Sequence, residues 1–315
     1  MAGGQERVLR RRIRSVESTK KITRAMELIA ASRMSRAQSR IAGSKPYLQG
    51  IERVLIDVVA DGSAPERLVG VPESPDNIGV VAIVSDRGLC GGYNAFVLRT
   101  ADRLMRTGES AGRSYRVVGV GKKAVGYFRF RGRVLDETFL VGDRPNYEDA
   151  RAIARTVVPA FMAGELDMVQ LVSTRFLSAG SQVIETRQLL PLVPPAPDDK
   201  EGSSIEAGGG YFEYEPDSAE LLGLLVPRYA EAALFGALLE ASASEHVARQ
   251  RAMSAATENA EELIKTLRRV MNRARQDAIT TEIMEIVSGA EALRSGGERD
   301  IAPPRQDTDA EERIA

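Results

Sequence analysis

Two stretches without a single Gly or Pro, residues 5–42 and 237–288, constrain this chain more than anything else in it. Read as helices at 1.5 Å per residue, their 38 and 52 positions span roughly 57 and 78 Å. Globular helices run about three turns, so neither stretch fits inside a compact domain. Two such rods, separated by nearly two hundred residues, are expected to pack on each other as a shaft. A shaft is a mechanical part rather than a catalytic one.

The first rod carries apolar residues at three- and four-residue steps: Leu9, Ile13, Val16, then Ile22, Met26, Ile29, then Met34, Ala37, Ile41. That stripe suits a partner helix. Pro46 and Gly50 weaken the pattern, yet it resumes at Leu48, Ile51, Leu55 and Val58, so a kinked continuation to about residue 60 is expected. The second rod begins near Ser218 and tolerates Gly223, Pro227 and Gly236. Beyond them Ala260, Leu263, Leu267, Val270 and Ala274 alternate steps of three and four, the spacing of a coiled-coil seam. Ile279, Ile283, Ile286, Ala290 and Leu293 continue it after a phase slip. The basic face of the first rod (Arg10, Arg11, Arg12, Arg14, Lys20, Lys21, Arg24) has three readings: a solvated face, contact with acidic protein loops, or nucleic acid. Nucleic acid trails, because no aromatic residues are interleaved for base stacking.

Residues 61–77 are turn-rich and read as a linker. From 78 the pattern changes to short strands at 78–85, 115–121 and 167–174, with helical stretches at about 95–105, 122–130 and 147–163. Strands alternating with helices imply a mainly parallel sheet covered by helices, with 183–193 a further strand, antiparallel at an edge. Residues 194–210 are rich in Pro, Gly and charge and read as a flexible excursion, and 295–315 as a disordered tail.

Chemistry is sparse. One Cys, Cys90, excludes an intramolecular disulfide and a Cys-based metal cluster; one His, His246, leaves no His-rich metal site. No carboxylate pair or nucleophile–base pair stands out, so no metal, cofactor or catalytic residue is assigned, and the chain does not read as a self-sufficient enzyme. VSDRGLCGGYN (84–94) lies where a strand turns into a helix, but its spacing is neither the dinucleotide fingerprint nor the phosphate loop. A tight structural turn is the favoured reading over nucleotide binding, with Cys90 a small buried residue. The formal net charge is −1, but residues 1–45 hold 12 Lys or Arg against 3 Asp or Glu, so that end expects an acidic partner surface. No apolar run approaches the length of a membrane span, and a direct span is not expected.

RIRSVESTKKITRAMELIAASRMSRAQ (12–38) closely resembles the N-terminal helix of the gamma subunit of rotary F-type ATP synthases, and AMSAATENAEELIKTLRRVMNRARQDAITTEIMEIVSGAEAL (252–293) its C-terminal helix. VSDRGLCGGYN resembles that family's central-domain signature and YFEYEPD (211–217) its foot. The resemblance implies a fold of class α/β: a long antiparallel coiled coil of the N- and C-terminal helices (1–60 and 211–294) plus a central Rossmann-like domain (78–210). It implies the central-stalk rotor of a bacterial ATP synthase, without an active site of its own, held peripherally at the cytoplasmic face of the plasma membrane. The single Cys excludes the two-cysteine redox insert of chloroplast relatives. The implied partners are the alpha and beta subunits, the epsilon subunit and the c ring, with ion flow through that ring coupled to ATP synthesis and hydrolysis. The rival readings are a coiled-coil scaffold and a nucleotide-binding α/β protein with helical arms.

The resemblance also implies site residues. Arg24 and Met26 match the segment that faces the beta subunit's acidic lever, and Arg249 resembles the family's shaft arginine. Arg275, Gln276, Thr280, Glu282 and Glu285 match the segment that contacts the alpha/beta ring. Tyr214, Glu215 and Asp217 match the foot on the c ring and epsilon. Pro227, Ser254 and Met284 depart from the usual family residues. So does the chain past Leu293, which is expected to be dispensable.

Overall fold

The computed structural model describes residues 2–60, 65–193 and 218–297. The foot residues Tyr214, Glu215 and Asp217, and the expected tail from 298 onward, lie outside the described residues. The chain divides into two compact units, one made of Met1–Ile22 with Thr257–Ala315 and the other of Thr23–Ala256. Two helices supply the rods: α1 (Ala2–Ala60), with Pro46 inside it, and the last helix, α5 (Ser218–Gly297), with Pro227 inside it.

The larger unit is built on a five-stranded sheet. Its strands are β1 (Asn77–Ile83), β2 (Ser114–Val120), β3 (Glu137–Phe139), β4 (Met168–Phe176) and β5 (Gln182–Leu190), in the order β3-β2-β1-β4-β5. The first four run parallel and β5 is antiparallel at the edge. Strand β1 is buried from Ile78 to Ile83, as a central parallel strand covered on both faces must be. One face is covered by α2 (Tyr93–Glu109) and α3 (Lys122–Phe130), whose Val97, Leu98, Ala101, Met105, Ala124 and Phe128 meet Ile78, Val80, Ala82 and Val117. The other face receives α4 (Tyr147–Ala163), and with it the rods: Leu55 and Val58 of α1 and Leu222, Val226, Leu234 and Leu238 of α5 share one cluster with Val81, Val118 and Leu171. Helix α4 starts on a reciprocal capping box. The Asn146 side chain accepts from the Asp149 N–H and the Asp149 carboxylate accepts from the Asn146 N–H, leaving neither amide orphaned.

Within this unit the helices pair through Ala37 and Ile41 against Leu239 and Ala243. One expectation needs correcting. Helix α5 does contain an 18-residue stretch with a mean hydropathy of 1.4, long and apolar enough by composition to cross a membrane. Its first part is alanine- and leucine-rich because it packs on the sheet, and 44% of the stretch is buried there.

The smaller unit is a helix pair. Ile13, flanked by Leu9 and Val16, packs on Ile264, Leu267 and Met271. Lys20 meets Glu261 at 2.5 Å and Glu17 meets Arg268 at 2.8 Å, so numbers rise on one helix as they fall on the other: the pairing is antiparallel. The seam on α5 runs through Thr257, Ala260, Ile264, Leu267, Met271, Ala274 and Ala278 in regular steps of three and four. This corrects the expected seam, because Leu263 and Val270 are 42% and 48% exposed and there is no phase slip. On α1 the same one-residue displacement leaves Ile22 and Ile29 exposed while Thr23 and Ala30 are buried. Alanines take the inside positions at 260, 274 and 278, while Ile264, Leu267 and Met271 fill those between them against Ile13.

Candidate functional site

The signature loop 84–94 forms at the carboxyl end of β1. Asn94 at the start of α2 folds it inward: its side-chain oxygen accepts from the Ser85 N–H at 2.9 Å and its amide donates to the Arg87 carbonyl at 3.3 Å. Leu89 takes φ 63 at the exposed tip of the turn. Gly121, at the end of β2, has φ 97, and a Cβ there would meet the Val84 carbonyl oxygen at 2.3 Å, so only glycine fits. Cys90 beneath the turn is 1% exposed. Burial, reinforced by the Glu245 carboxylate, raises its thiol above the ordinary range. That makes it a buried thiol rather than a nucleophile.

In open parallel sheets a ligand settles outside the carboxyl ends of the strands, where the strand order reverses. Here that crevice lies beside β1 and β4, and α5 fills it. The buried Tyr93 hydroxyl donates to the Ala241 carbonyl at 3.0 Å, and burial pushes its pKa up. Arg249 donates to the Gly88 carbonyl at 3.3 Å and pairs with Glu245 one helical turn back. His246 Nδ1 lies 2.9 Å from Glu245 Oε2 but without hydrogen-bond alignment. The space left among Ser85, Arg87, Asp143, Ser242 and Glu245 is about 40 Å³. A ligand pocket needs several hundred, so a nucleotide has no room there.

The β3–α4 segment closes over the same junction. Asp143 pairs with Arg33 of α1 and lies 3.4 Å from Arg87, and its carbonyl accepts from Ser242 of α5 at 3.4 Å. Arg40 donates to the Pro145 carbonyl. The loops at the carboxyl end of the sheet thus hold both helices of the larger unit instead of a ligand. Among the described residues no group of three or more His, Cys, Asp or Glu is placed to hold a metal ion.

The site residues expected from sequence fall in different settings. In the larger unit Arg24 is exposed and paired with Glu27 at 2.9 Å, while Met26 is half-buried. Arg249 is 7% exposed, and its guanidinium is used inside the chain. In the smaller unit Arg275, Gln276, Thr280, Glu282 and Glu285 all lie on the exposed far part of α5. Only Gln276 and Thr280 are linked, the hydroxyl donating to the carbonyl one turn back at 3.0 Å. Every described side chain from Ile279 to Arg294 is exposed, including Ile283, Met284, Ile286 and Val287 at 54%, 63%, 72% and 52%. The reason is geometric. With Ile13 opposite Leu267, Ala2 at the start of α1 falls level with about Ala278, and α5 runs on through Gly297, roughly 28 Å further. Glu245 and Asp143 were not singled out from sequence. The i,i+4 spacing of Glu245 and Arg249 was visible there, but nothing in the sequence marked the pair as buried.

A family model described as ATP synthase matches residues 5–293. The ATP synthase gamma chain of Parafrankia sp. (strain EAN1pec) is 46% identical over 300 residues, covering 93% of this chain and 99% of that one. The ATP synthase gamma chain of Frankia casuarinae is 46% identical over 299 residues, with the same coverage. Among solved structures, a chain of the Euglena gracilis mitochondrial ATP synthase superposes with a TM-score of 0.63 at 17% identity, covering 97% of this chain and 99% of that one. A chain from the central stalk and c ring of the Tetrahymena thermophila mitochondrial ATP synthase gives 0.55 at 24% identity, covering 75% and 99%. At those identities the likeness is one of fold.

Proposed function

Because the chain belongs to the ATP synthase gamma-chain family, we propose that it is the central-stalk rotor of an ATP synthase, turning between a ring of alpha and beta subunits and a membrane c ring. The observation that carries this reading is the far part of α5. An exposed, apolar-studded helix is costly to leave in water, and a patch of this kind marks a surface that another protein covers. A ring of subunits around it supplies that cover. Arg275, Gln276, Thr280, Glu282 and Glu285 then face the ring, with Arg24 and Met26 as further contacts, Met26 toward an acidic lever of beta.

Coupling of this kind needs no chemistry on the rotor. A shaft biases the open and closed states of a beta subunit only by touching them unequally, and the bias equals the difference in contact free energy. One helix continuing beyond the end of the other gives such an asymmetric section. Arg–carboxylate contacts across a turning interface are remade at each step, so they tune coupling more than stability. The chain contributes no catalytic group, and ion flow through the c ring drives the turning. Tyr214, Glu215 and Asp217 form the foot on that ring and the epsilon subunit. The complex sits at the cytoplasmic face of a bacterial plasma membrane, with this subunit peripheral to it.

The filled crevice at the sheet's carboxyl end supports the same reading over a nucleotide-binding protein with helical arms. It joins the sheet to the rod, which is what a torque-bearing part requires. The test is co-purification: the tagged full chain brings down alpha and beta subunits in an assembly that hydrolyses ATP. Recovery of the chain without them overturns the proposal.

A further inference from the structure

The outward side of α2 and α3 is unlike the rest of the molecule. Residues 93–133, from α2 through β2 to just past α3, hold ten Lys or Arg and two Asp or Glu in a chain whose net charge is −1, and among the described residues only Arg116 on β2, of the ten, pairs with acids outside the segment, Glu165 and Asp136. The two acids do not offset this at the surface. Asp102 is taken by Arg106 and Arg133, each at 3.2 Å, and Glu109 by Arg133 at 2.6 and 2.9 Å. Those hydrogen bonds hold the Glu109 carboxyl below the usual carboxylate range, so it stays charged and committed.

What remains is ordered. Phe96, Arg99, Arg103 and Arg106 follow at steps of three, four and three, one stripe along α2. The Arg99 guanidinium stacks on the Phe96 ring at 5.0 Å, which fixes both side chains. On α3 the Arg131 guanidinium stacks on Tyr127 at 5.5 Å, and between Arg129 and Arg131 the Phe130 ring stands 87% exposed. Among the described residues Arg99, Arg103, Arg129 and Arg131 have no acidic partner. A face that only needs to be solvated has no use for an exposed phenylalanine beside stacked arginines. This face also lies across the sheet from α4 and the helices of its unit, so a partner can occupy it without displacing either.

We propose that the α2–α3 face docks an acidic protein surface with an apolar recess that receives Phe130. The inference rests on the assembly reading above, and the partner is another subunit of the same complex. The composition selects protein over an anionic membrane. Eight of the ten cations are Arg, whose rigid forks match carboxylate geometry and whose enrichment with aromatics marks protein interfaces, where Lys is depleted. Phe130 is then the anchor and the arginines its charged surround.

The test uses the full chain in the purified complex, with Phe130→p-benzoylphenylalanine as a photoreactive probe. Peptide mapping is expected to find the crosslink on an Asp- or Glu-rich segment of one other subunit. The triple variant Arg99→Glu/Arg103→Glu/Arg131→Glu, carrying the same probe, is expected to lose that crosslink about tenfold, since three attractive pairs become repulsive. All three positions are exposed, and an unchanged thermal midpoint verifies folding. A crosslink to lipid overturns the inference in favour of a membrane contact. An undiminished crosslink in the triple variant overturns its electrostatic basis. If alpha and beta co-purify but the probe captures nothing, the docking inference falls alone. If they do not co-purify, both readings fall.

Discussion

Replacing Arg249 by Ala tests whether the rod is welded to the sheet through a buried charge pair. The side chains of Arg249 and Glu245 are 8% and 7% exposed, and Arg249 also donates to the Gly88 carbonyl of the signature loop. Arg249→Ala leaves a carboxylate buried with only His246 Nδ1 nearby. Removing one member of a buried pair costs about 3–5 kcal/mol, because the remaining charge is uncompensated. At about 1.4 kcal/mol per decade, the unfolded population rises roughly a hundredfold to several-thousandfold. Glu245→Gln is expected to cost a similar amount, since it leaves the guanidinium in the same place. The double variant Glu245→Gln/Arg249→Met buries no charge and is expected to return to within about 2 kcal/mol of the starting stability. The chain has no Trp, so urea unfolding is followed by far-UV circular dichroism, and the reading is a lower midpoint at unchanged slope. A single-variant cost below about 1 kcal/mol, or a double variant as poor as the sum of the singles, refutes the argument from uncompensated charge.

Three further outcomes follow from the same geometry. Leu267→Ala is expected to destabilise the chain by about 2–4 kcal/mol and Leu263→Ala by under about 1, because only Leu267 lies in the seam; equal losses in thermal unfolding would restore the seam expected from sequence. Cys90 is expected to resist alkylation by iodoacetamide at pH 8 until urea unfolds the chain, since burial raises its thiol pKa; labelling as fast as a free thiol in the folded chain contradicts this. Burial raises the Glu52 carboxyl above its ordinary 4.5, an effect that Arg187 only partly offsets. Its contribution to stability is therefore complete below that value and is lost as pH rises through the raised one. Glu52→Gln should raise the thermal midpoint near pH 8 and lose that advantage near pH 4, and a benefit independent of pH excludes the desolvation cause.

Much of the fold was legible because its signals are local. The burial of β1, the alternation of strands and helices and the long breaker-free stretches each follow from residue type and period. The three-residue β3 was missed, since an edge strand of Glu137, Thr138 and Phe139 has neither length nor alternation. The seam was misread for a different reason. Leu263 and Ile264 are both apolar, as are Val270 and Met271, and only the facing helix decides which of each pair turns inward. Periodicity alone could not choose between two apolar neighbours. Arg275 to Glu285 were picked out by family wording alone, and the structure adds that they are exposed on α5. The contacts of Asp143 with Arg33 and Ser242, and of Arg249 with Gly88, were not legible, because they join segments about a hundred or more residues apart, with partners set by topology.

Rotation itself is the observation that matters most. With alpha and beta subunits immobilised and a gold rod attached through Ser74→Cys in the exposed segment before β1, ATP is expected to drive continuous, unidirectional turning of this chain. Labelling is directed to that position because the native Cys90 is buried. A complex that hydrolyses ATP at full rate while the rod only fluctuates about a fixed angle would contradict the assignment of this chain as the rotor.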